Sequence, residues 1–226
     1  MSCYAAVVPV FNPEIALVAL CRALLESFSL VIVVDDGSVE NQDDFKLLPE
    51  GVILLRHDVN RGKGAAMKTA LKYLLDGRPE IAGAVFADGD GQHRVEDVRA
   101  LAARAASEDA VVFGVRDFGA KGVPFRSWWG NRWTAIEVRL LFGFRIADTQ
   151  TGLRAVPRRL FAPLVALAGD RFEYEAAWFG LLKRLGERLL QIPIETIYRA
   201  ANRASHFRPI KDTLLTQRAL FCRVRN

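Results

Sequence analysis

Short apolar runs alternate with longer stretches of helical periodicity through the first half of this 226-residue chain. An apolar run of strand length, a helical stretch and a second apolar run together make a βαβ unit, in which the two strands lie parallel. Because the alternation repeats, it predicts an α/β fold with a doubly wound, mostly parallel sheet flanked by helices. The predicted strands are residues 5–10, 30–34, 52–55, 82–86 and 110–113, and the predicted helices between them are residues 13–28, 63–75 and 95–106.

The second half of the chain is less regular. It holds a Trp-rich stretch at residues 125–144, a turn-like stretch at 148–154, and helical patterns that begin at Arg158 and at Phe172. Hydrophobic residues make up 51% of the chain, which is ample for one well-packed core. We therefore expect one catalytic domain at residues 1–204, followed by a basic amphipathic helical segment at 205–226.

Composition indicates the cellular compartment of the chain and the charge of its partners. The three cysteines are scattered and match neither a metal-binding pair nor a disulfide framework, which favours a reducing cytosolic compartment. No apolar run reaches the roughly 18 residues of a membrane span, so we do not expect the chain to cross a bilayer. The net charge of +5 indicates an anionic partner. Its basic excess lies near the end, at Arg199, Arg203, Arg208, Lys211, Arg218, Arg223 and Arg225.

A first polar cluster follows the second predicted strand. It consists of Asp35, Asp36, Gly37 and Ser38. Carboxylates at a strand end can accept hydrogen bonds from a nucleobase or ribose, while Gly and Ser let the chain turn sharply. A plain strand-to-loop turn explains the same residues, so this cluster alone leaves both interpretations open.

A second cluster, NRGKG at residues 60–64, precedes a predicted helix. A helix N-terminus exposes backbone N–H groups, and Arg61 and Lys63 add positive charge beside Gly62, so a diphosphate would be stabilised here. The spacing is not that of a P-loop. A glycine-containing helix start without a ligand remains the alternative.

A third cluster, DGDGQ at residues 88–92, follows the fourth predicted strand. Asp88 and Asp90 flank one small residue, so they can face a hard divalent cation, and Gln92 offers a further oxygen ligand. An EF-hand loop would need an acidic residue at its twelfth position, where this chain has Arg99. We interpret His93 as a structural neighbour rather than a metal ligand.

All three clusters follow successive strands of one predicted parallel sheet. In such sheets ligands bind outside the carboxyl ends of the strands, so the clusters are expected to form one shared site.

These residues resemble family 2 glycosyltransferases of the GT-A fold, in particular the dolichyl-phosphate mannose synthase-like or polyprenyl-phosphate glycosyltransferase branch. The resemblance covers nearly the whole chain. It runs in order through VPVFNPE at 8–14, DDGS at 35–38, NRGKG at 60–64, DGDGQ at 88–92, DTQTGLR at 148–154 and SHFRPI at 205–210.

The resemblance implies how a nucleotide-diphosphate sugar would be held. The positions that match those holding the donor's base and ribose are Pro9, Phe11, Glu14 and Asp36. Asp88, Asp90 and Gln92 match the motif for the diphosphate and its Mg²⁺ or Mn²⁺ ion, and we expect Gly62 and Lys63 to assist at the diphosphate.

The resemblance also implies roles in catalysis. Asp148 matches an acidic site near the donor sugar, and Arg116 and Arg126 match basic positions that meet the acceptor phosphate. Glu173 and Glu175 lie near the acidic catalytic base of many members. The alternative for these two glutamates is the exposed first turn of a helix, which its dipole favours.

The expected mechanism is a direct inverting displacement without a covalent intermediate. A phosphate monoester is already ionised near neutral pH, so it can attack without a general base. A hydroxyl acceptor on a glycan or protein is the alternative, and it would require Asp148 or Glu175 as the base. The Q-x-x-R-W motif of processive synthases is missing, which favours a single transfer.

Membrane contact is expected to be peripheral, on the cytoplasmic face, because the C-terminal transmembrane helices of many relatives are missing. A separate small membrane protein is the other route to the lipid. Segment 205–226 mixes apolar and basic residues, which suits either an interfacial helix or a helix docked on the core. Trp128, Trp129 and Trp133 likewise fit an interfacial anchor or core packing.

Two other function classes are disfavoured. A nucleotidyltransferase would carry a Gly-rich loop after the first strand, where this chain reads VFNPE at residues 10–14. A nucleic-acid-binding module would suit the basic charge, but no recognisable motif supports it. The expected partners are therefore a nucleotide-diphosphate sugar, polyprenyl phosphate and a membrane surface, with no nucleic acid.

Overall fold

A computed structural model describes residues 3–116 and 125–195. For residues 125–128 it describes the backbone but not the side chains. The strands in chain order are β1 (Tyr4–Val10), β2 (Val31–Asp35), β3 (Val52–Arg56), β4 (Gly83–Phe86), β5 (Val111–Arg116), β6 (Arg154–Pro157) and β7 (Leu189–Ile194). The helices are α1 (Ala16–Leu25), α2 (Lys63–Gly77), α3 (Val95–Glu108), α4 (Phe125–Phe142), α5 (Phe161–Val165) and α6 (Glu173–Arg184). Short 3-10 helices lie at Gln42–Leu47 and Arg158–Leu160.

The strands form a seven-stranded sheet in the order β3-β2-β1-β4-β6-β5-β7. Strand β6 pairs antiparallel with β4 and β5, whereas the other neighbouring pairs are parallel. The predicted α/β class with a mostly parallel sheet is confirmed.

The sheet separates two hydrophobic layers. Alternate residues of β1 serve opposite layers: Val7 packs with residues of α2 and α6, whereas Val8 packs with residues of α1 and α3. Every residue of β1 and β2 is buried. Strands buried on both faces read as continuous apolar runs, which is why the sequence revealed them so clearly.

The five predicted strands correspond to β1–β5 within three residues at each end. The helix predicted at 13–28 is shorter at both ends, since α1 spans Ala16–Leu25. Before it, Asn12 adopts a left-handed backbone conformation (φ 55°), and its side chain accepts hydrogen bonds from the loop after β2. The helix predicted from Arg158 starts as a 3-10 turn, and α5 follows it. The helix predicted from Phe172 is α6, which starts one residue later.

Strands β6 and β7 were not predicted. β6 has four residues and directly follows the turn-like stretch, so it offers little pattern to detect. β7 lies at the sheet edge and contains Pro193, which an edge strand tolerates but which weakens its strand signal.

The antiparallel direction of β6 has a consequence for the site. Arg154, the first residue of β6, pairs with Phe86, the last residue of β4. Loop 148–153 therefore enters the sheet at the edge where β4 ends and the DGDGQ segment begins.

The predicted segment 205–226 lies outside the described residues, so its helical character and the boundary at residue 204 stay predictions. Among the helices that the structure describes, none is both long enough and apolar enough to cross a bilayer.

Candidate active site

Lys63 joins two of the predicted clusters through an ion pair. Its Nζ lies 2.7 Å from Asp88 Oδ1 and about equally close to both oxygens of Glu175, at 3.1 and 3.2 Å. Burial alone would lower the pKa of Lys63, but the charges of Asp88 and Glu175 outweigh it and raise that pKa. Burial likewise opposes ionisation of Asp88, yet Lys63 holds the pKa of that carboxyl well below its usual range. Both shifts favour the charged forms of Lys63 and Asp88 near neutral pH.

Asp90 lies in the same turn and carries the opposite pKa perturbation. Burial, followed by the charge of Asp88, raises the pKa of Asp90, although a hydrogen bond from the backbone N–H of Gln92 to its Oδ1 (3.0 Å) opposes this. Two carboxylates thus crowd the end of β4, and Lys63 reaches only Asp88 among them.

His93 flanks the carboxylate pair. Its ring is 8% exposed, and its Nε2 lies 3.4 Å from Asp88 Oδ2. Its Nδ1 is buried without a hydrogen-bond partner among the described residues. The contact agrees with the interpretation of His93 as a neighbour of Asp88.

Gly152 brings the DTQTGLR loop onto the acidic turn. A Cβ atom at Gly152 would lie 2.3 Å from Asp88 Oδ2 and 2.7 Å from Oδ1. A larger residue here would have to displace the Asp88 carboxylate, so the absence of a side chain at Gly152 lets segments 88–92 and 148–154 pack closely.

Arg154 lies beneath this arrangement and was not predicted as a site residue. It is 1% exposed, and its guanidinium donates to the carbonyl oxygens of Thr151 (2.9 Å) and Glu175 (2.6 Å). Burial lowers the pKa of Arg154, against the attraction of Glu175, Asp148 and Asp88 in that order. The sequence feature that could have marked Arg154 as a site residue was its position in the DTQTGLR motif.

Arg116 and Asp148 form a bidentate ion pair. Arg116 Nε lies 2.6 Å from Asp148 Oδ2, and its second nitrogen donates to Oδ1 at 3.2 Å. Asp148 is completely buried, whereas the Arg116 side chain is 29% exposed. The bidentate pair thus fixes the position of the Arg116 guanidinium while part of its side chain stays exposed. The side chain of Arg126 lies outside the described residues.

Asp36 organises the NRGKG loop. Its Oδ1 accepts from the backbone N–H of Arg61 (2.9 Å), and its Oδ2 accepts from the N–H of Gly62 (2.7 Å). His57 Nδ1 lies 2.7 Å from Asp36 Oδ1, and His57 Nε2 lies 2.8 Å from Thr69 Oγ1. His57 Nδ1 donates to the Asp36 carboxylate, and His57 Nε2 shares a hydrogen bond with the Thr69 hydroxyl. His57 was missed, because its partners are distant in sequence.

The N-terminus of α2 is partly occupied by the chain itself. The N–H of Ala65 donates to the carbonyl of Asp170 (2.9 Å), and a Cβ at Gly62 would lie 2.4 Å from that same oxygen. Gly62 also has a φ of 112°, which favours glycine. The N–H groups of Gly62 and Ala65 are thus bonded within the chain, and the diphosphate role of Gly62 and Lys63 stays a prediction.

The predicted base-binding residues surround the end of β1. Pro9 is buried within β1, Phe11 is partly buried, and Glu14 is exposed. Asn12 bonds this loop to the DDGS turn, since its backbone N–H donates to Ser38 Oγ (2.8 Å). Their assignment to a nucleotide stays a prediction.

The glutamates of α6 differ from each other. Glu175 is buried, so the alternative of an exposed first helical turn is wrong for it. Glu173 accepts from the backbone N–H groups of Asp170 (3.1 Å) and Arg171 (3.2 Å), as a residue near a helix start does. These bonds hold Glu173 against the turn that precedes α6.

The acidic turn has the chemistry of a divalent-cation site. Asp88 and Asp90 supply hard oxygen donors, and burial, followed by the charge of Asp88, raises the pKa of Asp90, a perturbation that a bound cation would oppose. No three acidic, Cys or His side chains converge within the described ranges, so protein ligands would fill only part of a coordination shell. Such an incomplete shell is usual for Mg²⁺, which retains water and substrate oxygens.

The chain is similar in sequence to known proteins. Residues 5–162 match the family model described as "Glycosyl transferase family 2". An uncharacterised protein of Methanocaldococcus jannaschii is 33% identical over 198 residues, covering 85% of this chain and 80% of that protein. The UDP-N-acetylglucosamine–dolichyl-phosphate N-acetylglucosaminyltransferase of Methanococcus voltae is 27% identical over 216 residues, covering 85% and 84%.

Solved structures share the fold. Glucosyl-3-phosphoglycerate synthase from Mycobacterium tuberculosis, in complex with Mn²⁺, UDP and glucosyl-3-phosphoglycerate, superposes with a TM-score of 0.70 at 18% identity. That match covers 98% of this chain and 80% of the synthase. Mannosyl-3-phosphoglycerate synthase from Rubrobacter xylanophilus gives 0.71 at 17% identity, covering 98% and 74%.

Proposed function

The chain belongs to glycosyltransferase family 2, and on this basis we propose that it moves one sugar from a nucleotide-diphosphate donor to a polyprenyl phosphate, with inversion and with a divalent cation. It is an enzyme with a GT-A-type fold. The nucleotide-diphosphate donor, the divalent cation and the polyprenyl phosphate acceptor are proposals.

The observation that carries the proposal is the packing of the acidic turn against loop 148–153. Asp88 touches Gly152, and Arg154 lies among Asp88, Asp148 and Glu175. In such a site Asp88 and Asp90, with Gln92 beside them, would hold Mg²⁺ or Mn²⁺. A bound divalent ion neutralises charge on a departing diphosphate.

The chain's own residues would position the donor. Asp36 accepts from the backbone N–H groups of Arg61 and Gly62, so it holds this loop and the charge of Arg61 at the carboxyl edge of the sheet. Lys63 keeps Asp88 ionised. Pro9, Phe11 and Glu14 would contact the base and ribose, as the resemblance implies.

The charge pairing of the acidic residues supports a phosphate acceptor. A hydroxyl acceptor needs a base, yet Asp148 is buried in a bidentate pair with Arg116, and Glu175 is paired with Lys63. Carboxylates that already accept from cations are poor proton acceptors. An ionised phosphate needs no base, and Arg116, with Arg126, would bind it.

A relative supports the same acceptor class. The Methanococcus voltae protein, which this chain covers over 84% of its length, is named for transfer to dolichyl phosphate. We therefore place polyprenyl phosphate before a glycan or protein hydroxyl as the acceptor of this chain.

One face of α4 suits contact with a lipid surface. Its exposed apolar residues Trp129, Trp133, Ile136 and Leu140 are spaced by four, three and four positions, so they form one stripe. The interpretation of Trp129 and Trp133 as core residues is wrong. This stripe, with the basic segment 205–226, would hold the enzyme peripherally on the cytoplasmic face, with or without a small membrane protein. We propose residues 1–204 as the catalytic domain.

The test is a screen of labelled nucleotide sugars with polyprenyl phosphate in mixed micelles and Mg²⁺ or Mn²⁺. We expect one sugar per lipid and release of a nucleoside diphosphate. Asp90→Ala should lower the rate of sugar transfer by about 10³-fold or more. Glu175→Gln should retain most of the wild-type rate, because an ionised phosphate acceptor needs no base. Full activity of Asp90→Ala in Mg²⁺ or Mn²⁺ would contradict the metal assignment.

The same screen includes soluble glycan and peptide acceptors. Transfer to these acceptors alone, with Glu175→Gln or Asp148→Asn inactive, would establish a hydroxyl acceptor with a carboxylate base instead. The melting temperature of each variant serves as the control for folding.

A further inference from the structure

Asn131 is a buried polar residue on a helix whose described neighbours face solvent. It is 4% exposed, whereas Gly130, Arg132 and Trp133 beside it are exposed. Among the α4 side chains that the structure describes, residues 129–142, the other buried ones are Val138 and Phe142, both apolar. An amide at such a position is costly unless its hydrogen bonds are made.

The amide of Asn131 bonds to the residues on either side of Asp148. Its Nδ2 donates to the carbonyl oxygen of Ala147 at 2.7 Å. Its Oδ1 accepts from the backbone N–H of Thr149 at 2.9 Å and from the Thr149 hydroxyl at 3.1 Å. Asn131 thus holds the peptide groups that flank Asp148, without touching the carboxylate itself.

A second side chain holds the same loop from the sheet. Gln191 of β7 accepts from the backbone N–H of Ala147 (2.8 Å) and donates to the carbonyl of Arg145 (2.8 Å). The residue that precedes Asp148 is therefore bound from α4 at its carbonyl and from β7 at its N–H. This pair of tethers fixes the backbone from which the Asp148 carboxylate projects.

Asp148 in turn determines where Arg116 lies. The bidentate pair fixes both the position and the plane of the guanidinium. A shift of the loop would therefore move the charge that, under the proposed function, receives the acceptor phosphate.

We propose that Asn131 is a positioning residue for acceptor binding, which acts by holding Asp148 and, through Asp148, Arg116. This inference rests on the proposed lipid-phosphate acceptor. It also connects the site to α4, the helix that carries the exposed apolar stripe, so the acceptor's phosphate and its lipid tail would meet parts of one rigid unit.

The test compares Asn131→Leu, which removes the amide at similar volume, with Val138→Ala, which loosens the same face of α4 but leaves the amide bonds intact. Initial rates of transfer to polyprenyl phosphate give KM for acceptor and donor separately, and melting temperatures report stability. We expect Asn131→Leu to raise the acceptor KM on the order of 10- to 100-fold, with the donor KM within about twofold. Val138→Ala should melt earlier but keep both KM values.

Gln191→Ala provides an independent arm, since it removes the other tether of Ala147. We expect a smaller rise in acceptor KM in the same direction. Equal acceptor KM values for wild type and Asn131→Leu would overturn the inference, as would an equal rise in Val138→Ala. If the wild type transfers only to hydroxyl acceptors, the proposed lipid-phosphate acceptor fails, and the inference falls with it.

Discussion

Single residues at this site act mainly by setting the charge and position of other groups. Lys63 keeps Asp88 ionised, Arg154 supports the carbonyl of Glu175, and Gly152 lets the loop reach Asp88. Substitutions at such supporting residues are therefore expected to change the activity strongly, even though the carboxylate residues themselves are unchanged.

Gly152→Ala should reduce transfer about 10²-fold, because its Cβ would lie within 2.3 Å of Asp88 Oδ2 and push the carboxylate aside. Steady-state rates at saturating donor and cation measure the effect. Gly77→Ala is the matched control: nothing lies within 4 Å of its added Cβ, and it should keep full activity. Unchanged activity of Gly152→Ala would show that the position of Asp88 does not matter.

His57→Leu should lower the free energy of unfolding by about 2 kcal/mol, because it removes buried hydrogen bonds to Asp36 and Thr69. Urea denaturation measures this loss. The donor KM should rise as well, since Asp36 loses one of the partners that hold it against the Arg61–Gly62 turn. Thr69→Val, which removes only the outer bond, should cost less and leave the donor KM near that of wild type.

At the scale of elements, α4 has two different faces. Val138 and Phe142 pack into the core and Asn131 bonds to the Asp148 loop, while the stripe of Trp129, Trp133, Ile136 and Leu140 faces outward. Large apolar side chains in a contiguous exposed row are unusual on soluble surfaces and typical of interaction sites. The helix is thus suited to joining a lipid surface to the catalytic loop.

Leu140→Glu should reduce cosedimentation with vesicles that contain anionic lipid, because Leu140 is 79% exposed on the stripe and the new charge opposes insertion. Its melting temperature should stay within about 2 °C of wild type. Leu185→Glu, at an exposed leucine beyond the end of α6, is the control and should bind vesicles normally. Equal binding by the two variants would exclude the stripe from membrane contact.

At the scale of the whole molecule, one edge of the sheet carries the loops that follow β1, β2, β3 and β4 and the loop that precedes the antiparallel β6. A ligand that contacts several of these loops would stabilise the folded chain as a unit. The nucleoside diphosphate should therefore raise the melting temperature only when the cation is also present.

A nucleoside diphosphate at about 100 times its Kd, with Mn²⁺, should raise the melting temperature by about 5 to 10 °C. Differential scanning fluorimetry across the uridine, guanosine and cytidine diphosphates would also identify the base. The shift should vanish with EDTA and in Asp90→Asn. An equal shift in EDTA would separate nucleotide binding from the acidic turn.

The amino-acid sequence by itself determined the first five strands, because a parallel strand that is buried on both faces must be continuously apolar. It also placed three polar clusters at strand ends, which the parallel topology then gathers at one edge. The positions of Asp36, Asp88 and Asp90 followed from that rule alone.

The tertiary structure alone decided which groups meet. The antiparallel β6 brings Gly152 onto Asp88, and Lys63 reaches Glu175 across 112 positions of sequence. His57, Asn131 and Arg154 could not be recognised beforehand, because their roles depend on hydrogen bonds to backbone and side chains of other elements. Such bonds leave no periodic pattern in a sequence, since a single polar residue reads the same whether it meets water or a buried loop.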